Sequence, residues 1–140
     1  MIFVNLPVTD LPRSLAFYQA VGATPDARFT DETAAAVSFS DTIHAMLLTH
    51  ARFAGFTSRT IIDAHTQAQA AFCLSEDSRE AVDSRVASAV AAGGAADPNP
   101  AQDHGFMYAR SYADPDGHIW EPMWMDVEAA MAAGQAAAEV

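Results

Sequence analysis

The order of apolar and polar positions runs through one cycle and then repeats it. Ile2 to Val8 is an apolar run with a single polar break at Asn5, and it reads as a strand. Thr9-Asp10 can cap a helix with Pro12 in its first turn. Leu11, Leu15, Tyr18 and Val21 then recur at helical spacing until Gly22 stops the helix. Three short strands in hairpins follow, at Ala27 to Thr30, Ala34 to Phe39 and Ile43 to Thr49, with turns at Asp31-Glu32 and Ser40-Asp41. His50 to Phe56 reads as a short helix, and Thr57 to Thr66 as a polar connector or mobile loop.

The second cycle opens at Gln69 to Leu74, a strand. Ser75-Glu76-Asp77 is placed to cap a helix carrying Ala81, Val82, Val86, Ala89 and Val90, which Gly93-Gly94 ends. Strands around Ala95 to Asp97, Phe106 to Tyr112 and His118 to Met125 follow, and Asp126 can cap a last Ala-rich helix. Each cycle is strand-helix-strand-strand-strand. The starts of the two helices match, Val8-Thr9-Asp10 with Leu74-Ser75-Glu76 and Arg13 with Arg79. The predicted class is α+β, one domain over 1–140. It comprises a first βαβββ module at 1–56, a connector at 57–68, a second module at 69–126 and a C-terminal helix at 127–140. Neither module can cover both faces of its sheet, so pairing modules or subunits gives a curved mixed sheet with helices outside and a central cleft.

The turn Asp114-Pro115-Asp116-Gly117 joins the last two strands. Pro presets φ, Asp bonds its own backbone and Gly accepts positive φ. Beyond it Glu121 stands among Ile119, Trp120, Met123 and Trp124, and a carboxylate there must be paired, hydrogen-bonded or metal-bound. Glu121 is therefore either a cleft metal ligand or general base, or a strand carboxylate paired with Arg110 or facing solvent. Asn5 either binds substrate or satisfies a sheet group. Tyr108 and Arg110 share a strand face. They offer a hydroxyl and a cation to an anionic ligand, or Arg110 pairs with surface acids. Of five histidines, His50 at a strand end is the one placed to reach a cleft, and a His50/His104/Glu121 set is a conceivable metal site. His118, after a turn glycine, reads as a surface residue. Trp120 and Trp124, opposite Glu121, read as core or dimer packing. Phe53 and Phe56 are either a lid over an apolar pocket or helix packing.

Composition narrows the chemistry. At 51% hydrophobic over 140 residues the chain can bury a sizeable core. The net charge is −11, and all seven basic residues are Arg. Nucleic acid and anionic membranes are excluded as partners by the missing basic face. Schiff-base chemistry and a Walker-type phosphate loop are excluded by the absence of Lys. No apolar run approaches the roughly 20 residues of a membrane span. The first residues read as a strand rather than a signal peptide, and a single Cys73 in an apolar setting reads as a buried thiol. A cytoplasmic location fits. The Asp-Pro-Asp-Gly turn lacks the further oxygen ligands of a calcium loop.

Two motifs carry a resemblance. Val8, Asp10, Leu11, Ser14, Phe17 and Tyr18 open the chain as V-x-D-L-x-x-S-x-x-F-Y, and Asp114 to Glu121 closes it as D-P-D-G-H-x-W-E. In a duplicated βαβββ chain these resemble the vicinal oxygen chelate superfamily of glyoxalase I, bleomycin-resistance proteins and extradiol dioxygenases. Met46 to His50 and Gly105 to Tyr108 are most similar to a bacterial group of predicted lactoylglutathione lyases. The resemblance implies a divalent metal (Zn, Ni or Mg) held by one residue on each module's first strand and one on its last. By position those ligands fall at Phe3, at Met46 or Leu47, at Gln69 and at Glu121. Phe, Met and Leu cannot bind such a cation and Gln is a weak neutral ligand.

Two functions are thereby expected. One is a glyoxalase-like lyase or isomerase on a small carbonyl substrate, with Glu121 as base or ligand. The other is a metal-free binding protein of the bleomycin-resistance kind, which sequesters a small ligand, cationic ones included, in an aromatic acidic cleft, with Asn5, His50, Tyr108 and Arg110 toward the ligand. Either way a small molecule is the expected partner and a homodimer the expected assembly.

Overall fold

A computed structural model describes residues 1–138. The first module runs β1 (Ile2–Val8), α1 (Leu11–Ala20), β2 (Thr24–Asp26), β3 (Ala34–Ser38) and β4 (Ile43–Thr49). These strands form one sheet in the order β1-β4-β3-β2, with β1 parallel to β4 and the others antiparallel. A short α2 (His50–Ala54) follows. The second module runs β5 (Ala71–Ser75), α3 (Arg79–Ala91), β6 (Ala95–Ala96), β7 (Gln102–Asp103), β8 (Met107–Ala109), β9 (Tyr112–Ala113) and β10 (Ile119–Met125). Its β5 lies parallel to β10, and β8 and β9 pair antiparallel with β10. The parallel first-to-last pairing is thus common to both modules, and the fold is α+β with two separate sheets. α4 (Val127–Ala138) closes the described chain, and the last two residues of the 127–140 segment lie outside it.

Several elements differ from the sequence pattern for identifiable reasons. The strand expected at Ala27 to Thr30 is a 3-10 turn at Ala27–Phe29, because the Asp26 carboxylate accepts from the Arg28 amide and closes the chain there. The pairing strand is β2, just before it. The strand expected over Phe106 to Tyr112 breaks into β8 and β9. Pro122 lies opposite the break with no N–H to give, so the ladder retains only the bond from Arg110 N to the Pro122 carbonyl, 3.2 Å. The cap of α3 is Ser78, whose hydroxyl accepts from Ala81 N, rather than Ser75 to Asp77. That leaves Glu76 to receive the Arg85 guanidinium at 2.6 Å. The first cap is as the pattern implies: the Asp10 carboxylate accepts from Arg13 N.

One core serves both modules. Leu6, Val8, Ala35, Val37, Ala45 and Leu47 turn one face of the first sheet toward Phe17, Tyr18 and Val21. Trp120 of β10 enters the same core, 2% exposed, with Tyr18, Phe39 and Phe72 rings at 5.9, 4.8 and 4.9 Å. Each aromatic buried there contributes about 1.5–3 kcal/mol. Trp120 is therefore a hub between modules. No described helix is long and apolar enough to cross a membrane.

Candidate functional site

The Asp114 to Gly117 turn does more than reverse the chain. Asp114 Oδ1 accepts from the amides of Asp116 and His118, and Oδ2 accepts from the Tyr18 hydroxyl at 2.6 Å. Tyr18 O in turn accepts from Trp120 Nε1 at 3.0 Å. Asp116 Oδ1 accepts from the Thr9 amide and hydroxyl, and Oδ2 from Ser14. His118 Nε2 lies 2.8 Å from the Pro7 carbonyl, so His118 is a half-buried bridge to β1 and not the surface residue expected. The two motifs of the chain therefore bind each other. Thr9, Ser14 and Tyr18 are thereby joined to Asp114 and Asp116, which ties the start of α1 to the last hairpin.

Gly117 has φ +94°, and a Cβ there would lie 2.6 Å from the Ala64 carbonyl carbon and the His65 amide nitrogen. Only glycine lets the connector lie this close. Within the connector, Asp63 accepts from the amides of His65, Thr66 and Gln67 and forms a turn there.

Between the connector, β1 and the start of β10 lies a cavity of about 580 Å³. Its apolar wall includes Phe53, Ile61, Ile62, Phe72 and Ile119, and Asn5, Gln67 and Gln69 supply amides. Among the described residues no Asp or Glu lines it; Arg59 and His118 do. A second cavity, about 410 Å³, holds Glu121, Cys73, Glu76 and Arg85. A third, about 480 Å³, is polar and holds His50, Arg13, Asp63, His65 and Asp116. The first best matches a small-molecule site, because it is the roomiest, is mostly apolar and has a few converging polar groups.

The expected site residues do not come together. Asn5 and Gln69 share the 580 Å³ cavity. Glu121 is half-buried in another, and its Oε1 accepts from Asn99 Nδ2 at 2.7 Å, not from Arg110. His50 lines the third cavity, and His104 stacks near Phe106 at 6.2 Å, so the His50/His104/Glu121 set is dispersed. The Tyr108 hydroxyl donates to Asp83 at 2.8 Å, and Arg110 grips Asp83 and both oxygens of Asp97 at 2.7–3.1 Å. That is the surface pairing. It draws Asp97 and Asp83 below the ordinary carboxylate range, Arg110 being the main cause for Asp97 and Tyr108 for Asp83. Phe53 reaches the 580 Å³ cavity, whereas Phe56 is exposed beneath the Arg52 guanidinium. Trp124 likewise packs under Arg79, at 5.3 Å.

The metal implied by the resemblance does not fit the residues present. Phe3 stacks on His44 at 4.8 Å, and the two His44 nitrogens face Ser38 and the Asp41 carbonyl. Leu47 is fully buried among the helix-facing core residues, and Gln69 precedes β5. Opposite Glu121 on β5 is Cys73. Its thiol is exposed rather than buried, and desolvation, with Glu121 second, pushes it up toward the protonated form, which is a poor ligand and nucleophile. No group of three or more His, Cys, Asp or Glu among the described residues is arranged to hold an ion. Sequence reasoning missed Asn99 and Arg59. Asn99 carries a signal in Pro98-Asn99-Pro100, which fixes the loop beside Ser111; Arg59 in a polar connector carries none.

Comparison with known proteins agrees with this architecture. Residues 2–121 match the model of the Glyoxalase/Bleomycin resistance protein/Dioxygenase superfamily. The chain belongs to this superfamily. Among solved structures, hypothetical protein SA1046 from S. aureus aligns with a TM-score of 0.75 at 22% identity, over 89% of this chain and 92% of that one. A family enzyme from Burkholderia phytofirmans gives 0.71 at 21% identity, over 89% and 97%. The fosfomycin resistance protein FosX from Listeria monocytogenes gives 0.64 at 16%, over 90% of each chain. At these identities the superfamily member shares their fold. No curated protein matches the chain.

Proposed function

We propose that this superfamily member is a binding protein that sequesters a small molecule in the 580 Å³ cavity without metal-dependent turnover. The observation that carries the reading is the cavity wall: apolar side chains, neutral amides, Arg59, a His118 whose Nε2 is engaged by the Pro7 carbonyl, and no carboxylate among the described residues to act as base or ligand. Glu121, on which a lyase would depend, is in a separate cavity with one oxygen bonded to Asn99. Asn5 and Gln69 are the ligand-facing amides, and His118 fixes β1 against the hairpin. The homodimer and the cytoplasmic setting belong to the same proposal. Ile2 and Phe3, 54% and 58% exposed on a strand paired on one edge only, supply apolar surface for a second copy.

The test is a thermal-shift screen of small molecules, with fosfomycin included because FosX bears its name, alongside turnover assays. Expected are a ligand that raises the melting temperature and no turnover of the methylglyoxal–glutathione adduct with added nickel or zinc. A stoichiometric divalent ion lost in Glu121→Ala, together with turnover, would overturn the binding reading in favour of the lyase. Light scattering reads the assembly.

A further inference from the structure

The cationic residues separate into two groups by partner. Arg13, Arg28, Arg79, Arg85 and Arg110 each face a carboxylate. Arg52 donates to the Thr33 hydroxyl and lies over the Phe56 ring. Arg59 is the exception among the described residues. Its backbone amide donates to Thr57 Oγ1, while its guanidinium makes no hydrogen bond or ion pair. Arg52 and Arg59 are thus the two arginines with no carboxylate partner, and Arg59, which is solvent-exposed, is the one with no side-chain partner among the described residues. It is the arginine that lines the 580 Å³ cavity, and no acid among the described residues lines that cavity.

We infer that the cavity takes an amphiphilic monoanion, a carboxylate head set against Arg59 and an apolar body along Ile61, Ile62, Phe53, Phe72 and Ile119. This rests on the binding reading above and names its ligand class. The guanidinium fork matches a carboxylate with paired donors, and an unpartnered one gains most from it. Asn5, Gln67 and Gln69 add uncharged amides, which hydrogen-bond a head group without repelling it. The net charge of −11 sets the other limit. Its field opposes anions and strengthens with ligand charge, while salt screens it beyond about 8–10 Å. One negative charge beside Arg59 is tolerated, whereas a polyanion such as a nucleoside triphosphate meets the repulsion several times over. Affinity must then come largely from the apolar body.

The experiment is calorimetric titration of the full chain with octanoate, octanol and octylamine, three probes of one shape and three charges. Octanoate is expected to bind at least tenfold more tightly than octanol, and octylamine not at all. Arg59→Gln is expected to weaken octanoate roughly tenfold to hundredfold and leave octanol unchanged, with Arg59→Lys between. Equal binding of octanol and octanoate, or an unaltered octanoate affinity in Arg59→Gln, overturns the anion assignment while the cavity remains a binding site. Preference for octylamine overturns it too. If none of the three binds, the assignment falls, and the thermal-shift screen separately decides whether the cavity binds anything.

Discussion

The Tyr18 hydroxyl donates to Asp114 at 2.6 Å across 96 positions of chain, and it is the same oxygen that accepts from Trp120. Tyr18 is fully buried, as is most of Trp120, so water cannot replace either bond. Tyr18→Phe keeps the ring and removes both bonds at once, leaving an indole N–H and a carboxylate oxygen unsatisfied. The expected loss is about 2–6 kcal/mol, at about 1–3 for each stranded group. Urea unfolding measures it, and a loss below about 1 kcal/mol would show that the two motifs are held together by packing instead.

The same carboxylate sets an unusual pH dependence. Burial pushes Asp114 above the ordinary carboxylate range, Asp116 adds to this, and His118 and Tyr18 partly offset it. A folded value raised above the unfolded one gives stability that is complete below the unfolded pKa, about 3.9, and is lost as pH rises through the folded value. Asp114→Asn has no such titration. The wild-type advantage over Asp114→Asn should therefore be largest near pH 4 and shrink toward pH 7. Unfolding free energies at several pH values across that window test this; an advantage that grows with pH contradicts it.

The superfamily motifs were legible because they are local chemistry with a long-range purpose. Asp10, Ser14, Tyr18 and Asp114 to Gly117 stand at spacings set by a helix cap, a helix face and a turn, all visible along the chain. The α+β modules followed from apolar periodicity. The broken strand at Arg110 was not legible, since its cause is Pro122, a dozen residues away and opposite only once the hairpin forms. The thiol of Cys73 was misread for a related reason. Its apolar neighbours Phe72 and Leu74 point into the core, and strand alternation turns Cys73 the other way. Arg59 became distinctive only through its place at the cavity together with its lack of a side-chain partner, which no local pattern records.

Arg110 gives a pH effect of opposite sign. Asp83 and Asp97 are held below the ordinary range by Tyr108 and Arg110, so their contribution is present above about pH 4 and lost as pH falls through their lowered values. The three side chains are 23%, 53% and 36% exposed for Arg110, Asp83 and Asp97, and solvent screens the pairing. Arg110→Met is expected to cost only about 0.5–1.5 kcal/mol at pH 7 and less at pH 3. Equal deficits at both pH values, read by urea midpoints, would place the effect in packing rather than charge. Ligand affinity in the 580 Å³ cavity should not change, because Arg110 does not line it.

Gly117 links the turn to the cavity. Its φ of +94° already disfavours a side chain, and an added methyl would meet backbone atoms of Ala64 and His65 at 2.6 Å, atoms that cannot rotate away as a side chain would. In Gly117→Ala the hairpin and the connector must therefore separate. Strain and lost contact together are expected to cost about 2–3 kcal/mol, from about 1–2 for the backbone conformation plus the displacement. Because Ile61, Ile62 and Ala64 line the cavity, the same change should raise hydrogen exchange across the connector and weaken ligand binding several-fold. Tm, exchange and calorimetry on one variant read all three. A destabilised Gly117→Ala that binds ligand with unaltered affinity would show that the connector is a cover the ligand does not touch.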